Sequence, residues 1–281
     1  MEILLVTFSF LSGLAVGSFL NVAIRRGIRG ESLLGRSKCE SCGRVLSARE
    51  LVPIVSFFAQ RGKCLGCKSS FSIEYPIVEF ATGIAFAASA ILFLPADITE
   101  MTLRGVLGFF LVLTAIAAAV VIFVVDLKEK IIPDFAFFVL FIIGVFALFL
   151  RGFPDSFFVG DLWESAAFLD VVSALLFSSF FALLWFFSRG TWMGFGDAKL
   201  TLAVSLVLGW PASLAAFLFS FWLGGIVGGV LLVLGRSTMK STIPFGPFIL
   251  FGGVAAYFFS GYFFETSRFL EGMYEIFYYS F

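Results

Sequence analysis

The sequence predicts an all-α polytopic membrane protein with about eight transmembrane helices. Hydrophobic residues make up 60% of its 281 residues, charged residues only 14%, and the mean hydropathy is +1.05. A soluble domain averages about 25% charged residues, so this chain has too few polar side chains to cover a water-soluble globule. The apolar residues also occur in nearly uncharged segments of about 20 residues, the length that crosses the hydrocarbon core as a helix.

Composition also excludes several kinds of functional site. The chain contains no histidine, so a site that relies on an imidazole base, a Ser-His-Asp triad or a histidine metal ligand is excluded. Its 19 basic and 19 acidic residues give a formal net charge of zero. That balance argues against a nucleic-acid partner, because phosphate binding needs an excess of basic residues.

The first predicted span is Ile3–Ile24, an uncharged segment long enough to cross the membrane. It is followed by Arg25-Arg26 and not by a small-residue cleavage site, so we expect a retained helix and not a cleaved signal peptide. Gly13 and Gly17 are four residues apart, a spacing that lets two helices approach closely in lipid.

Seven further spans are predicted along the chain. The uncharged stretch from Leu200 to Gly235 would be about 54 Å long as a single helix. That is too long for one crossing, and Gly209-Trp210-Pro211 provides a natural break. The predicted spans are, in order, about 75–96, 105–126, 134–150, 167–188, 197–209, 212–235 and 243–264.

The basic residues predict the orientation, because lysine and arginine in short loops stay on the cytoplasmic side. With eight spans and both termini outside, sixteen of the nineteen basic residues lie in cytoplasmic loops or at cytoplasmic span ends. Ten of them lie in the segment 25–73, which is the one soluble-looking loop. We therefore predict a multi-pass protein of the cytoplasmic (inner) membrane, with the lipid bilayer as a partner and this loop in the cytoplasm.

All four cysteines lie in that loop, as two Cys-x-x-Cys pairs with 21 residues between them. Paired Cys-x-x-Cys motifs at about this separation are typical of tetrahedral zinc sites. The alternatives are four unpaired thiols or two disulfides, and disulfides rarely persist in the reducing cytoplasm. Four thiolate ligands leave no open coordination position, so the predicted zinc ion is structural. Its ligands are predicted to be Cys39, Cys42, Cys64 and Cys67.

Two acidic residues at the ends of predicted spans form the candidate catalytic pair. Asp126 ends the third span, and Asp197 begins the sixth span, directly after Gly194 and Gly196. The predicted topology puts both acids at the cytoplasmic end of the bundle. Ionisable residues are costly in lipid and are therefore candidates for function. Because two carboxylates that share a site can divide the roles of acid and base, the pair predicts a water-activating aspartyl dyad.

Each acidic residue also has a structural interpretation. Asp126 could pair with a neighbouring lysine, and Asp197 could be only a helix-start residue. Asp134 precedes the fourth span and is predicted to be its N-cap. Glu79 and Asp170 are predicted to be structural, either holding helices together or extending their carboxylates toward the membrane surface. The dyad requires Asp126 and Asp197 to lie on one face, which depends on the tertiary structure.

These motifs occur in the order found in one known family. The chain resembles the type IV prepilin peptidases, bifunctional enzymes that cleave the leader of pilin-like precursors and N-methylate the new terminus. Six segments along nearly the whole chain carry the resemblance. They are 17–22 (GSFLNV), the pair of Cys-x-x-Cys motifs, 75–79 (YPIVE), 126–134 (DLKEKIIPD), 194–200 (GFGDAKL) and 243–248 (IPFGPF).

The resemblance implies an aspartyl peptidase of the GxGD type, with Asp126 and Asp197 as catalytic residues. Gly194 and Gly196 would shape the loop before the second acid. It also implies a pilin or pseudopilin precursor as substrate, cut after a glycine on the cytoplasmic side, and S-adenosylmethionine as methyl donor. The sequence has no Rossmann fingerprint that would assign residues to that cofactor. After Asn21 the chain departs from the Arg-Leu-Pro-like turn that is usual in the family.

The implied organisation has four parts and a methyltransferase-associated region over residues 1–100. The parts are a first transmembrane helix (1–24), a cytoplasmic zinc-binding loop (25–73), a membrane peptidase core (104–264) and an extracytoplasmic tail (265–281).

Two other functions remain open at this stage. A transporter or channel could use the intramembrane carboxylates as a proton relay. A transporter is expected to show interrupted helices in two related halves, whereas only the break at 209–211 stands out. A catalytically silent assembly scaffold is the other possibility, and the intact acid pair argues against it.

Overall fold

The computed structural model describes residues 2–94, 103–150, 166–236 and 243–264. The predicted tail, 265–281, lies outside the described residues. Within the described part the chain is all-α, as predicted, and a single 3₁₀ turn (Ala48–Glu50) lies in the loop before α2. The helices are α1 (Glu2–Arg29), α2 (Val55–Ala59), α3 (Glu74–Phe93), α4 (Leu103–Glu129), α5 (Asp134–Leu150), α6 (Ala166–Ser188), α7 (Phe195–Leu208), α8 (Ala212–Val233) and α9 (Gly246–Phe264).

Five of the described helices are long and apolar enough to cross a membrane, which confirms the predicted fold class. Apolar parts of α5 and α9 are shorter. Helix α7, with 14 residues, is about 21 Å long and does not match the ~30 Å hydrocarbon core. A helix occurs at each of the eight predicted positions, but the number that cross the bilayer stays a prediction. The five long segments are Ile3–Arg29, Glu74–Phe93, Gly105–Glu129, Ala167–Ser188 and Ala212–Val233.

The predicted break between the sixth and seventh spans is confirmed. Helix α7 ends at Leu208, and Gly209 follows with a φ of +73°, a conformation that favours glycine. Buried Asp170 of α6 accepts a hydrogen bond from the backbone N–H of Trp210. The Asp170 carboxylate thus joins the turn between α7 and α8 to α6, which is the structural role predicted for it.

The chain divides into two compact units, Met1–Val124 and Val125–Phe281. In the first unit α1 packs against α3 through its two spaced glycines. A Cβ on Gly13 would lie 2.8 Å from the Cα of Gly83, and a Cβ on Gly17 would lie 2.8 Å from the Cα of Glu79. Backbone therefore contacts backbone, as the spacing predicts.

Helix α7 is central to the second unit, since it packs against α5, α6, α8 and α9. Ala198, Leu200 and Ala203 of α7 are almost fully buried. Ser178 of α6 donates a hydrogen bond to the carbonyl of Ala198 at 2.9 Å. These contacts fix the helix that begins beside Asp197.

We predict that Gly13→Ala destabilises the protein. The new Cβ would meet the Gly83 Cα and the Thr82 carbonyl oxygen at 2.8 Å, and backbone atoms cannot move aside as a flexible side chain can. Overpacking costs about 1–3 kcal/mol, which exceeds the gain of at most about 1 kcal/mol from replacing a helical glycine. Thermal unfolding in detergent should show a lowered midpoint.

Gly27→Ala is the matched control, because a Cβ there meets no atom within 4 Å. It should leave the unfolding midpoint unchanged or raise it. Equal midpoints for wild type and Gly13→Ala would contradict the close approach of α1 and α3.

Candidate active site and metal centre

The four cysteines come together in the first unit. Their Sγ atoms all lie within 4.8 Å of one another, and those of Cys39 and Cys67 are 3.7 Å apart. A tetrahedral zinc ion with Zn–S bonds of about 2.3 Å separates its sulfur ligands by about 3.8 Å. The four thiols therefore fit a zinc ion after small adjustments, and none of them is in a disulfide.

The two Cys-x-x-Cys motifs fold into the same turn. In each, the N–H of the first cysteine donates at 2.9 Å to the carbonyl five residues later. The residue after the second cysteine is left-handed in both, with φ of +70° at Gly43 and +61° at Lys68. This conformation suits glycine and is unusual for lysine. The shared turn directs the two sulfurs of each motif toward one point.

Backbone donors favour the thiolate form of the first cysteine in each motif, the form that a metal requires. A hydrogen bond from the Cys42 backbone is the main cause that lowers the pKa of Cys39 to about 6. Hydrogen bonds from the backbones of Cys67 and Gly66 lower the pKa of Cys64. The first cysteine of each motif is also the buried one, so the backbone stabilises the negative charge where water does not reach.

Arg44 joins the two motifs. Its guanidinium lies 4.0 Å from the Cys64 Sγ atom and forms an ion pair with Glu50. Hydrogen bonds from Arg44 lower the pKa of Glu50 to about 2, and the Ser47 N–H also donates to this carboxylate at 2.9 Å. An arginine next to the first motif thus stabilises a ligand of the second motif.

A hydrogen bond ties the loop to the membrane helices. The Glu79 side chain in α3 is buried, and its Oε2 accepts a hydrogen bond from the Ile54 N–H at 2.7 Å. Close to it, the two helices are joined by the Asn21 side chain of α1, which donates to the carbonyl of Tyr75 in α3 at 3.1 Å, and by the Arg25 guanidinium, which lies 4.1 Å from the Tyr75 ring centroid. Glu79 thus has a structural contact, although the hydrogen bond from Ile54 joins α3 to the loop and not to another helix.

The second unit buries both candidate catalytic acids. Asp126 lies in the last turn of α4 and is 3% exposed, and Asp197 lies in the first turn of α7 and is 8% exposed. They are close enough for their carboxylates to interact electrostatically. Asp197 is thus a helix-start residue, and its role in a catalytic dyad with Asp126 stays a prediction.

The glycine that begins α9 allows the backbone to reach Asp126. The Gly246 N–H donates to the Asp126 Oδ2 at 2.9 Å. A Cβ on Gly246 would lie 2.6 Å from the same oxygen, so any other residue would displace the carboxylate. The hydrogen bond holds one oxygen of Asp126 in place.

The Gly194–Gly196 loop lies where the resemblance puts it, at the start of α7. Gly194 is the N-cap, and a Cβ there would come 3.8 Å from the Asp197 Oδ2. A Cβ on Gly196 would lie 3.2 Å from Ile132, in the linker between α4 and α5. Gly196 thereby lets the first turn of α7 pack beside the chain that follows Asp126.

The predicted N-cap role of Asp134 is wrong. Asp134 is the first helical residue of α5, and the carbonyl of Pro133 before it accepts a hydrogen bond from the Phe137 N–H at 3.0 Å. The Asp134 Oδ1 atom instead accepts from the Lys199 Nζ at 2.8 Å. This ion pair joins the start of α5 to the first turns of α7, two residues after Asp197.

Sequence reasoning assigned no role to Gly246 or Ile132, although both lie in the quoted motifs. One signal for Gly246 was its position between Pro244 and Pro247, where a glycine suggests a close backbone approach. Nothing local identifies Ile132, because its contact with Gly196 spans 64 residues.

Two family models match the chain. The model described as the Bacterial Peptidase A24 N-terminal domain matches residues 11–93, and that of the Type IV leader peptidase family matches residues 113–229. The first covers α1, the cysteine loop and α3, and the second covers both candidate acids. No solved structure matches the chain.

Several curated relatives carry the name prepilin leader peptidase/N-methyltransferase. The protein of Bacillus subtilis (strain 168) is 32% identical over 250 residues, which cover 88% of this chain and 92% of the relative. That of Burkholderia pseudomallei (strain 1026b) is 29% identical over 90% of this chain and 84% of the relative. That of Aeromonas hydrophila is 29% identical over 87% of each chain.

We predict that the purified protein binds one zinc ion per chain and that Cys64→Ser abolishes this binding. Cys64 is fully buried among the other thiols, and removing one of four ligands opens a site that requires all four. Elemental mass spectrometry measures the zinc content. Limited proteolysis should show faster cleavage within residues 30–73 of the variant, because the metal replaces a core in this loop.

Ser41→Ala is the matched control, since it lies between Cys39 and Cys42, is exposed, and keeps its backbone N–H. It should retain zinc. A wild-type protein that takes up neither zinc nor cobalt(II) with thiolate absorption bands would contradict the metal site.

Proposed function

Because this chain belongs to the type IV leader peptidase family, we propose that it is a membrane-bound prepilin leader peptidase that also N-methylates its product. Its substrates would be pilin or pseudopilin precursors, with a short basic leader followed by a hydrophobic helix. The observation that carries the peptidase function is the pair of buried, electrostatically interacting carboxylates of Asp126 and Asp197. The same observation and the relatives favour this function over a transporter or a scaffold.

The proposed chemistry is hydrolysis by a water molecule held between the two acids. Like charges in one buried site cannot both ionise easily, so the pair would hold one proton between them. The ionised carboxylate takes a proton from the water, whose oxygen attacks the scissile carbonyl carbon, while the protonated carboxyl donates a hydrogen bond to the carbonyl oxygen. The carboxyl group that took the proton from the water then gives it to the leaving nitrogen as the C–N bond breaks, which returns the pair to its singly protonated state.

Gly194, Gly196 and Gly246 are proposed to position this pair and not to react. Gly246 holds one oxygen of Asp126, and Gly196 allows the packing that keeps Asp197 close. Gly194 leaves the Asp197 carboxylate without a neighbouring side chain on that side. Such preorganisation matters because a misplacement of about 1 Å can cost about 10²-fold in rate.

We propose that the acids and the cysteine loop face the cytoplasm and that both termini lie outside. The distribution of lysine and arginine supports this orientation. The domain boundaries proposed from the sequence are 1–24, 25–73, 104–264 and 265–281, with residues 1–100 associated with methyl transfer. The loop is strongly basic, so it would not attract a basic leader by charge, and recognition would depend on the hydrophobic helix of the substrate.

Zinc and S-adenosylmethionine are the proposed cofactors, in separate roles. The four thiolates of Cys39, Cys42, Cys64 and Cys67 would hold zinc as a structural ion. S-adenosylmethionine would supply the methyl group to the new N-terminal amine. Its binding residues are left unassigned, because neither the sequence nor the described residues present a recognisable nucleoside-binding motif.

Mass spectrometry of a precursor incubated with the protein tests both activities. We expect a cleaved product, with a further mass of one methylene on its new N-terminus when S-adenosylmethionine is present. Asp126→Asn and Asp197→Asn should each lower the cleavage rate by at least about 10²–10⁴-fold, the contribution of positioned acid–base groups.

The same variants provide the control for methylation. A synthetic, already cleaved substrate should still be methylated by Asp126→Asn, because methyl transfer does not use the proposed dyad. A folded Asp126→Asn or Asp197→Asn protein with full cleavage activity would refute the dyad. Absence of cleavage by folded wild type with several precursors would refute the peptidase function.

We also predict that Gly246→Ala lowers kcat for cleavage by about 10²-fold with little change in KM. The added Cβ would lie 2.6 Å from the Asp126 Oδ2 and would displace it from the Gly246 N–H. Substrate contacts distant from this oxygen should remain. The variant should therefore slow the chemical step and leave substrate binding nearly unchanged. Steady-state kinetics in detergent or nanodiscs measure both constants.

Gly225→Ala is the matched control, because Gly225 lies within α8 and a Cβ there meets no atom within 4 Å. It should leave both kinetic constants unchanged. If Gly246→Ala cleaves at the wild-type rate, the hydrogen bond to Asp126 has no part in positioning.

A further inference from the structure

A short uncharged segment of the cysteine loop exposes apolar side chains in the described structure. Leu51–Gln60 (LVPIVSFFAQ) lies between the two Cys-x-x-Cys motifs, contains α2, and has no charged residue. Basic residues flank it, with Arg49 on one side and Arg61 and Lys63 on the other. The zinc site, the acid pair and the proposed chemistry make no use of this segment.

The segment exposes large apolar side chains. Val55 is 63% and Phe58 64% exposed, and they are three residues apart in the same short helix, a spacing that puts both on one face. Leu51 and Val52, in the non-helical stretch before α2, are also exposed. Exposed apolar side chains grouped in this way indicate an interaction surface.

A hydrogen bond fixes the depth of this segment against the membrane helices. The Ile54 N–H donates to the Glu79 Oε2 at 2.7 Å. Glu79 lies five residues into α3, about 7.5 Å along the helix from its first residue. The 20 residues of α3 are about 30 Å long, the thickness of the hydrocarbon core. Ile54 is therefore held close to the level of Glu79, about a quarter of the way into a core of that thickness.

Backbone strain at Ile54 indicates that contacts with the surrounding protein hold this residue in place. Its φ is +62° and its ψ is −54°, a γ-turn conformation with positive φ that is strained and that a β-branched residue rarely adopts. Such strain persists only where surrounding contacts hold it, and the bond to buried Glu79 is such a contact. The strained residue turns the chain so that α2 begins directly at the level of Glu79.

We propose that Leu51–Gln60 is an interfacial membrane anchor, which inserts Val55 and Phe58 between lipids while Arg49 and Arg61 bind anionic headgroups. An apolar face flanked by basic residues is the pattern of segments that lie in the membrane interface. The anchor holds the cysteine loop against the bilayer beside α1 and α3. This proposal depends only on α1 and α3 being membrane helices, and it is independent of the peptidase function.

The position of Leu51–Gln60 indicates that its exposed apolar side chains contact lipid and not a soluble protein. A surface at the level of Glu79, next to a membrane-spanning helix, meets headgroups and acyl chains before any protein in the cytoplasm. The nearest acidic residue, Glu50, forms an ion pair with Arg44 and therefore opposes anionic lipid only weakly.

Photocrosslinking of the full-length protein tests the anchor. Phe58 is replaced by benzoylphenylalanine, and the protein is reconstituted in nanodiscs of equimolar phosphatidylcholine and phosphatidylglycerol. After irradiation, peptide mass spectrometry should find lipid adducts at residue 58, enriched in phosphatidylglycerol. The same amino acid at Val45, an exposed residue of the first cysteine motif, should give severalfold fewer lipid adducts.

Two pairs of variants test whether the hydrogen bond to Glu79 and the charge of Arg61 cause the lipid contact. Glu79→Ala should lower the lipid adducts at residue 58 severalfold because it removes the acceptor for Ile54, whereas Glu79→Gln keeps an acceptor and should retain them. Arg61→Gln should lower the ratio of phosphatidylglycerol to phosphatidylcholine adducts roughly fivefold. Arg36→Gln, elsewhere in the loop, should leave that ratio unchanged.

Several outcomes would overturn the anchor. One is the absence of lipid adducts at residue 58 in a protein that retains its zinc. Another is an adduct to a second protein chain or to an added precursor, which would identify the surface as a protein-binding site. A ratio of the two lipids equal to that of the bilayer would refute the binding of anionic headgroups.

Discussion

Burial of two carboxylates at one place in an apolar bundle is the constraint on which the second unit depends. Asp126 and Asp197 are 3% and 8% exposed, and a buried polar group must find hydrogen-bond partners inside the protein. For Asp126 the partner is the backbone of Gly246, which can approach only because it lacks a Cβ. The tight packing of α7 among four other helices follows from the same need, since it keeps Asp197 beside the end of α4.

The first unit meets a different constraint, because its loop is too small to have a core of its own. Its buried cluster contains only Cys39, Leu46 and Cys64, with Phe71 packed against them. Four thiols converge there, and the proposed zinc ion would replace the missing apolar core, with Arg44 beside the Cys64 thiol. The hydrogen bond from Ile54 to Glu79 holds this loop on α3, close to where Asn21 joins α1 to α3.

The sequence predicted the positions of the helices better than it predicted the contacts between residues distant in sequence. Every predicted span contains a helix, and the break at Gly209 lies where length and charge require it. The role of Asp134 was wrong, because an N-cap is inferred from local sequence, whereas its partner Lys199 lies 65 residues away. Helix α7 is also too short to match the bilayer, since its length depends on its packing and on the turn at Gly209. No local pattern predicted that Gly246 would hold Asp126.

By itself the sequence determined the membrane class, the positions of the helices and the set of candidate ligands and acids. The membrane class follows from the composition of the whole chain. The helix positions and the candidate residues follow from local patterns, namely runs of apolar residues and the spacing of cysteines and glycines. Only the tertiary structure decided which groups meet. The Gly246–Asp126 hydrogen bond joins residues 120 positions apart, and the Ile54–Glu79 bond joins residues 25 apart. Such contacts depend on the close approach of whole helices, which glycine permits but does not specify.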